Sequence, residues 1–256
     1  MPSFLRIPKV QLSLYLTFIY LTALIYSPTL SNLYLLFSVV GFTVFFDLLF
    51  TFMRKRVFFI PYAAIATGLI IALIIDPSAL WYQIVVICAI AMGSKNFIRI
   101  SGKHILNPAA SGLFIGGIVL NLGVAWWGTS FQEIIKFEFK NLIFFSILLL
   151  PSLVSAYRMQ RFGSILSFYT VYLVSTFILN PNLISSSFLQ TLLNPSIIFF
   201  ATVMLPEPMT SPVNLKRQIF YGVVIAIITF ILRRGLFPDL LTPALLLGNI
   251  LFFKYR

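Results

Sequence analysis

The sequence predicts an all-α membrane protein of about ten transmembrane helices, built as two inverted five-helix repeats with interrupted helices. Three observations lead there. The first is composition: the 256 residues are 60% hydrophobic and 9% charged, with a mean hydropathy of +1.01, where a soluble domain carries about 25% charged residues. The second is a series of apolar runs divided by turn and charge signals. The third is a match of the chain with itself at one constant offset.

The apolar runs fall at 12–26, 33–53, 58–75, 80–94, 108–123, 141–157, 163–180, 186–205, 218–232 and 239–253. Several are shorter than the ~20 residues a straight span needs, which predicts broken or tilted helices. The start, MPSFLRIPKVQ, puts two basic residues before an apolar run as a secretion signal does. No small-residue cleavage site follows and further spans do, so the run is expected to stay as a helix.

Basic residues set the expected orientation. Arg6, Lys9, Arg54 to Arg56, Lys95, Arg99, Lys103, Arg158, Arg161, Lys216, Arg217, Lys254 and Arg256 fall on one face of a ten-span chain, fourteen of the 18 basic residues. By the positive-inside rule that face, with both termini, is cytoplasmic, in a plasma (inner) membrane. Lys136, Lys140, Arg233 and Arg234 break the rule. The net charge of +12 is scattered between apolar runs, so it reads as topology and not as a nucleic-acid surface.

A shift of 135 residues aligns Ala66-Thr67 with Ala201-Thr202, Pro77 with Pro212, Gln83-Ile84 with Gln218-Ile219 and Arg99 with Arg234. It also aligns Pro108-Ala109 with Pro243-Ala244, so ILNPA in the first half (1–125) answers LLTPA in the second (141–256) of a single membrane domain. An offset of five spans turns the second copy upside down. In such folds sites form near the midplane where interrupted helices meet. Asn107-Pro108-Ala109 and Thr242-Pro243-Ala244 fit the starts of those helices, with Asn or Thr as N-cap, Pro in the first turn, and backbone N–H groups offered to a ligand.

Two carboxylates stand out. Asp47 in the second span reads as a structural ion pair or a snorkelling group, in reach of Arg54 to Arg56 if the span ends nearby. Glu207, in MLPEPMTSP, is bracketed by prolines that force non-helical backbone, which near a membrane is tolerated where it lines a cavity or is buried. His104, the one histidine, cannot form a metal site alone, and Cys88, the one cysteine, excludes an intrachain disulfide framework. No nucleophile motif, phosphate loop or dinucleotide glycine pattern is present. Trp126 and Trp127 read as interfacial belt residues.

At GKHILNPAASGL, and at MLPEPMTSP followed by a basic pair and Tyr-Gly, the chain resembles the family containing the B subunit of sodium-translocating NADH:quinone reductases and the D subunit of Rnf complexes. The resemblance implies a membrane subunit of a flavin- and quinone-linked, redox-driven ion-translocating oxidoreductase. Its partners would be the lipid bilayer and other membrane, iron–sulfur and flavin subunits. It also implies a non-covalent flavin, riboflavin or FMN, held by His104, Asn107 and Glu207, with Thr210 and Ser211 beside them. Quinone is a further expected ligand. Relatives carry a covalent FMN on a Ser-Gly-Ala-Thr threonine after the fifth helix; here the loop reads VAWWGTSFQEIIKFEFK, with Thr129 in Gly-Thr-Ser, so covalent attachment is not expected. A urea-channel-like solute channel or transporter is the alternative that inverted repeats also build.

Overall fold

In the computed structural model of the chain, residues 8–129, 146, 149–150, 153–154, 156–182, 188–233 and 239–255 are described. The chain divides into two compact units, Met1–Thr129 and Ser130–Arg256. The described residues include four helices long and apolar enough to cross a membrane: Pro8–Tyr26, Leu30–Lys55, Phe162–Leu179 and Leu215–Leu232. The loop with Lys136 and Lys140, and Arg6, Arg234 and Arg256, lie outside the described residues.

In the first unit α1 (Pro8–Tyr26), α2 (Leu30–Lys55), α3 (Tyr62–Ile74) and α4 (Trp81–Phe97) lead to a two-stranded hairpin, β1 (Arg99–Ile100) and β2 (Lys103–His104), and then to α5 (Pro108–Leu120). Helix α2 starts at Thr29, whose hydroxyl accepts from Asn32 N at 3.1 Å, and ends with Arg54 and Lys55 in its last turn, where cations complement the helix dipole. Its buried positions are Asn32, Leu35, Val39, Thr43, Asp47 and Thr51, while Phe37 and Phe45 are 69% and 55% exposed. Polar groups face in and large apolar ones face out, the reverse of a helix packed for water.

Helix α3 has 13 residues, about 20 Å of rise, too short for the ~30 Å hydrocarbon core. Its last carbonyls therefore need donors. The segment after α5 supplies them: Ala125 N and Trp126 N donate to Ile74 O at 2.9 and 3.0 Å, Gly128 N to Leu73 O at 3.0 Å, and Trp127 Nε1 to Ala72 O at 2.8 Å. Trp126 is buried, and Trp127 stands edge-on to Tyr20 at 5.3 Å. Beyond the belt role expected from sequence, these tryptophans cover the C-terminal end of α3.

Helix α5 packs tightly on α4. A Cβ on Gly112 would sit 2.7 Å from Ile87 O and 2.8 Å from Ala91 Cβ, and one on Gly116 2.7 Å from Ile87 Cγ1. Two glycines four apart let the backbones approach, as small residues do where apolar helices meet in lipid.

The second unit contains α6 (Phe162–Leu179), α7 (Phe188–Leu192), α8 (Pro195–Phe199) running into a π-helical turn (Phe200–Met204), α9 (Leu215–Leu232) and α10 (Leu241–Phe252). Gly222 of α9 lies against α6, where a Cβ would be 2.9 Å from Phe168 N and would strike Ser164 O and Ser167 Oγ. Between the π-helical turn and α9 the prolines of LPEPMTSP keep the backbone out of helix over residues 205–214.

Candidate functional site: a buried polar turn and a capped half-helix

In the second unit Glu207, Thr210 and Ser211 form one folded turn. Glu207 O accepts from Thr210 N at 3.1 Å, from Ser211 N at 2.9 Å and from Ser211 Oγ at 2.8 Å, while Thr210 Oγ1 donates to Glu207 Oε2 at 3.1 Å. Thr210 and Ser211 are fully buried and Glu207 is partly buried. The turn follows the π-helical Phe200–Met204, a distortion found often beside functional sites.

Arg161, the residue before α6, completes this cluster. Its Nε donates to Ser211 Oγ at 3.1 Å, and the side chain is 7% exposed. Burial lowers the guanidinium pKa from its ordinary value. From the sequence Arg161 is one of fourteen residues marking the cytoplasmic face; only its contact with Ser211, fifty residues away, separates it from the others.

In the first unit Asn107 caps α5, its Oδ1 accepting from Ala110 N at 3.0 Å with Pro108 in the first turn. Ser111 Oγ donates back to Asn107 O at 2.7 Å and lies 3.1 Å from Ser94 Oγ of α4. His104 is buried on β2, opposite Arg99 in the hairpin register. Burial and the neighbouring Arg54 lower the Arg99 pKa, against an opposite pull from Asp47.

Helix α10 corrects one expectation. Thr242 is not its N-cap but lies inside the first turn, and Asp239 does the capping. Asp239 Oδ1 accepts from Leu241 N at 3.3 Å and Oδ2 from Thr242 N at 3.1 Å and from the Thr242 hydroxyl. A carboxylate accepts more strongly than a threonine hydroxyl and suits the positive end of the dipole. Amides of both proline-started helices are therefore engaged by the chain itself. A third such start, Asn194-Pro195 at α8, with Asn194 Oδ1 accepting from Ile197 N at 3.2 Å, was legible as an Asn-Pro step but passes unnoticed inside the eighth apolar run.

Asp47 finds a different partner from the expected Arg54 to Arg56. It is fully buried, with Oδ2 at 2.7 Å from Lys95 Nζ and Oδ1 accepting from Asn96 Nδ2 at 3.0 Å. Asn96 Oδ1 in turn accepts from Thr51 Oγ1 at 3.0 Å. Arg54 lies seven residues further along α2, about 10 Å of rise, whereas α4 packs directly against the helix. Thr129 is fully buried, its Oγ1 donating to Trp126 O at 3.0 Å.

No protein-family model matches the chain, and no curated protein matches it significantly.

Proposed function

We propose that the protein is a membrane subunit of a redox-driven, ion-translocating electron-transport complex, similar to the B subunit of sodium-translocating NADH:quinone reductases and the D subunit of Rnf complexes, and that it holds a non-covalent flavin. The observation that carries this is the buried polar turn of Glu207, Thr210 and Ser211 with Arg161 against it. Buried polar side chains gathered in an irregular turn at the end of apolar helices are what a site for a polar ligand would need.

The donor set suits a flavin. The Glu207 carboxylate can accept from the imide N–H or a ribityl hydroxyl, and Arg161 can donate to a carbonyl edge that gains negative charge on reduction. When bound, the flavin would supply one- and two-electron chemistry; the chain's own part is to orient the ring and set its electrostatics. In the other unit Asn107 Oδ1 is taken by Ala110 N at the start of α5.

Helix boundaries support two repeats. Helices α4 (Trp81–Phe97) and α9 (Leu215–Leu232), and the proline-started α5 and α10, recur about 135 residues apart. Five spans of offset invert the second copy, with both termini on the cytoplasmic side of an inner membrane.

Purified protein is expected to release flavin on denaturation, detected by fluorescence after chromatography. Glu207→Leu and Asn107→Leu should lose most of it while still folding by circular dichroism. Wild-type protein with no flavin, measured beside a urea or water flux in liposomes, would favour the channel instead.

A further inference from the structure

Helices α6 and α9 run side by side from the same end: a Cβ on Gly163 would meet Leu215 and Gln218, and one on Gly222 would meet Ser164, Ser167 and Phe168. Both helices are long and apolar enough to cross a membrane, so their paired starts lie at its surface and not among its acyl tails. Arg158, Arg161, Lys216 and Arg217 gather in sequence around those starts, as basic residues do at the level of the headgroups.

A cleft of about 300 Å³ opens between the two starts, lined by Tyr157, Gln160, Phe162 and Gly163 and, from the other segment, by Val213, Leu215 and Gln218. Its rim is apolar and faces outward: Tyr157, Val213 and Leu215 are exposed, and the rings of Tyr157 and Phe162 lie 6.3 Å apart. The polar group fixed in its wall is Gln218, only 3% exposed. Both hydrogens of Gln218 Nε2 are spent, on Gln160 O at 3.1 Å and on Val213 O at 2.7 Å. These two bonds set which way the amide points and leave Oε1 as an acceptor. Oε1 accepts from no described residue, yet it is not sealed inside the protein. It lies against Gly163, where a Cβ would stand 3.0 Å away, so glycine leaves the space before the oxygen open.

An oxygen placed in this way selects a donor. An ester or ketone carbonyl only accepts and gains nothing from it, whereas a hydroxyl does. Arg158 and Lys216 directly follow the lining residues Tyr157 and Leu215, so an ammonium donor meets like charge there. We propose that the cleft seats a membrane lipid whose headgroup carries a free hydroxyl. The hydroxyl donates to Gln218 Oε1, and the acyl chains run along the exposed apolar rim.

The test compares two lipids of equal charge, phosphatidylglycerol and phosphatidylethanol, which differ in their headgroup hydroxyls. Each is titrated into the whole purified protein in an uncharged detergent and followed by thermal unfolding and by lipid retained in native mass spectra. Phosphatidylglycerol should bind about threefold to tenfold more tightly, the share of one hydrogen bond. Gln218→Leu should bring it down to the level of phosphatidylethanol, with little change in phosphatidylethanol itself. Gly163→Ala puts a methyl group before Oε1 with Gln218 intact; it should cut the same preference, and it carries the test if Gln218→Leu fails to fold. Equal binding of the two lipids by wild type, the result for a cleft that holds water alone, overturns the proposal. So does a preference for phosphatidylglycerol that survives both substitutions.

Discussion

Each unit places a basic residue near the end of a helix, Lys95 half-buried and Arg161 buried, and the two are partnered differently. Lys95 has a carboxylate at 2.7 Å, itself held by Asn96; Arg161 has a serine hydroxyl at 3.1 Å and no carboxylate partner among the described residues. Intramembrane charge by itself does not mark a site, because a buried cation with its own counter-ion is complete as a piece of structure. Arg161 has no such counter-ion among the described residues, and it touches the irregular polar turn around Glu207. The difference separates a cation that has its counter-ion from one held by a neutral hydroxyl.

The largest effect should come from breaking the complete pair. Asp47→Leu leaves the half-buried Lys95 without this anion and should cost about 3 kcal/mol in detergent unfolding, while Asp47→Leu with Lys95→Met should recover most of it. Arg161→Met removes one hydrogen bond to a neutral group together with a desolvation cost, so the ligand-free protein should change by about 1 kcal/mol or less. Equal losses for the two single variants would erase the contrast. Helix contact comes next. Gly112→Val drives a branched side chain into Ile87 O and Ala91 Cβ and should cost about 1–3 kcal/mol by the same measurement. The caps are smallest: Asn107→Ala and Asp239→Ala should each cost about 1 kcal/mol, with Asp239→Asn losing less.

Much of the helical order was legible. The runs expected at 163–180 and 218–232 became Phe162–Leu179 and Leu215–Leu232, because long apolar stretches bounded by basic or proline residues have few alternatives. Asn107-Pro108 marked the start of α5, since the cap and the missing N–H are local chemistry. Less local features were lost. The run at 58–75 ends within one residue of α3, but nothing in it says that the helix starts only at Tyr62 or borrows donors from residues 125–128. Asp239 displaced Thr242 as the cap of α10 because the carboxylate, three residues upstream, is the better acceptor. Of the candidate site, Glu207, Thr210 and Ser211 were readable from the proline-bracketed acid. Arg161 was not, since a cation read for topology looks like every other until its partner is seen.

The most direct measurement is a riboflavin titration of flavin-depleted protein, followed by quenching of the flavin's own fluorescence. Saturable quenching near one flavin per chain is predicted for wild type, abolished in Glu207→Leu and retained in Asp47→Leu with Lys95→Met. No saturable quenching with wild type, or the same curve with Glu207→Leu, would contradict the assignment of the buried turn as the flavin site.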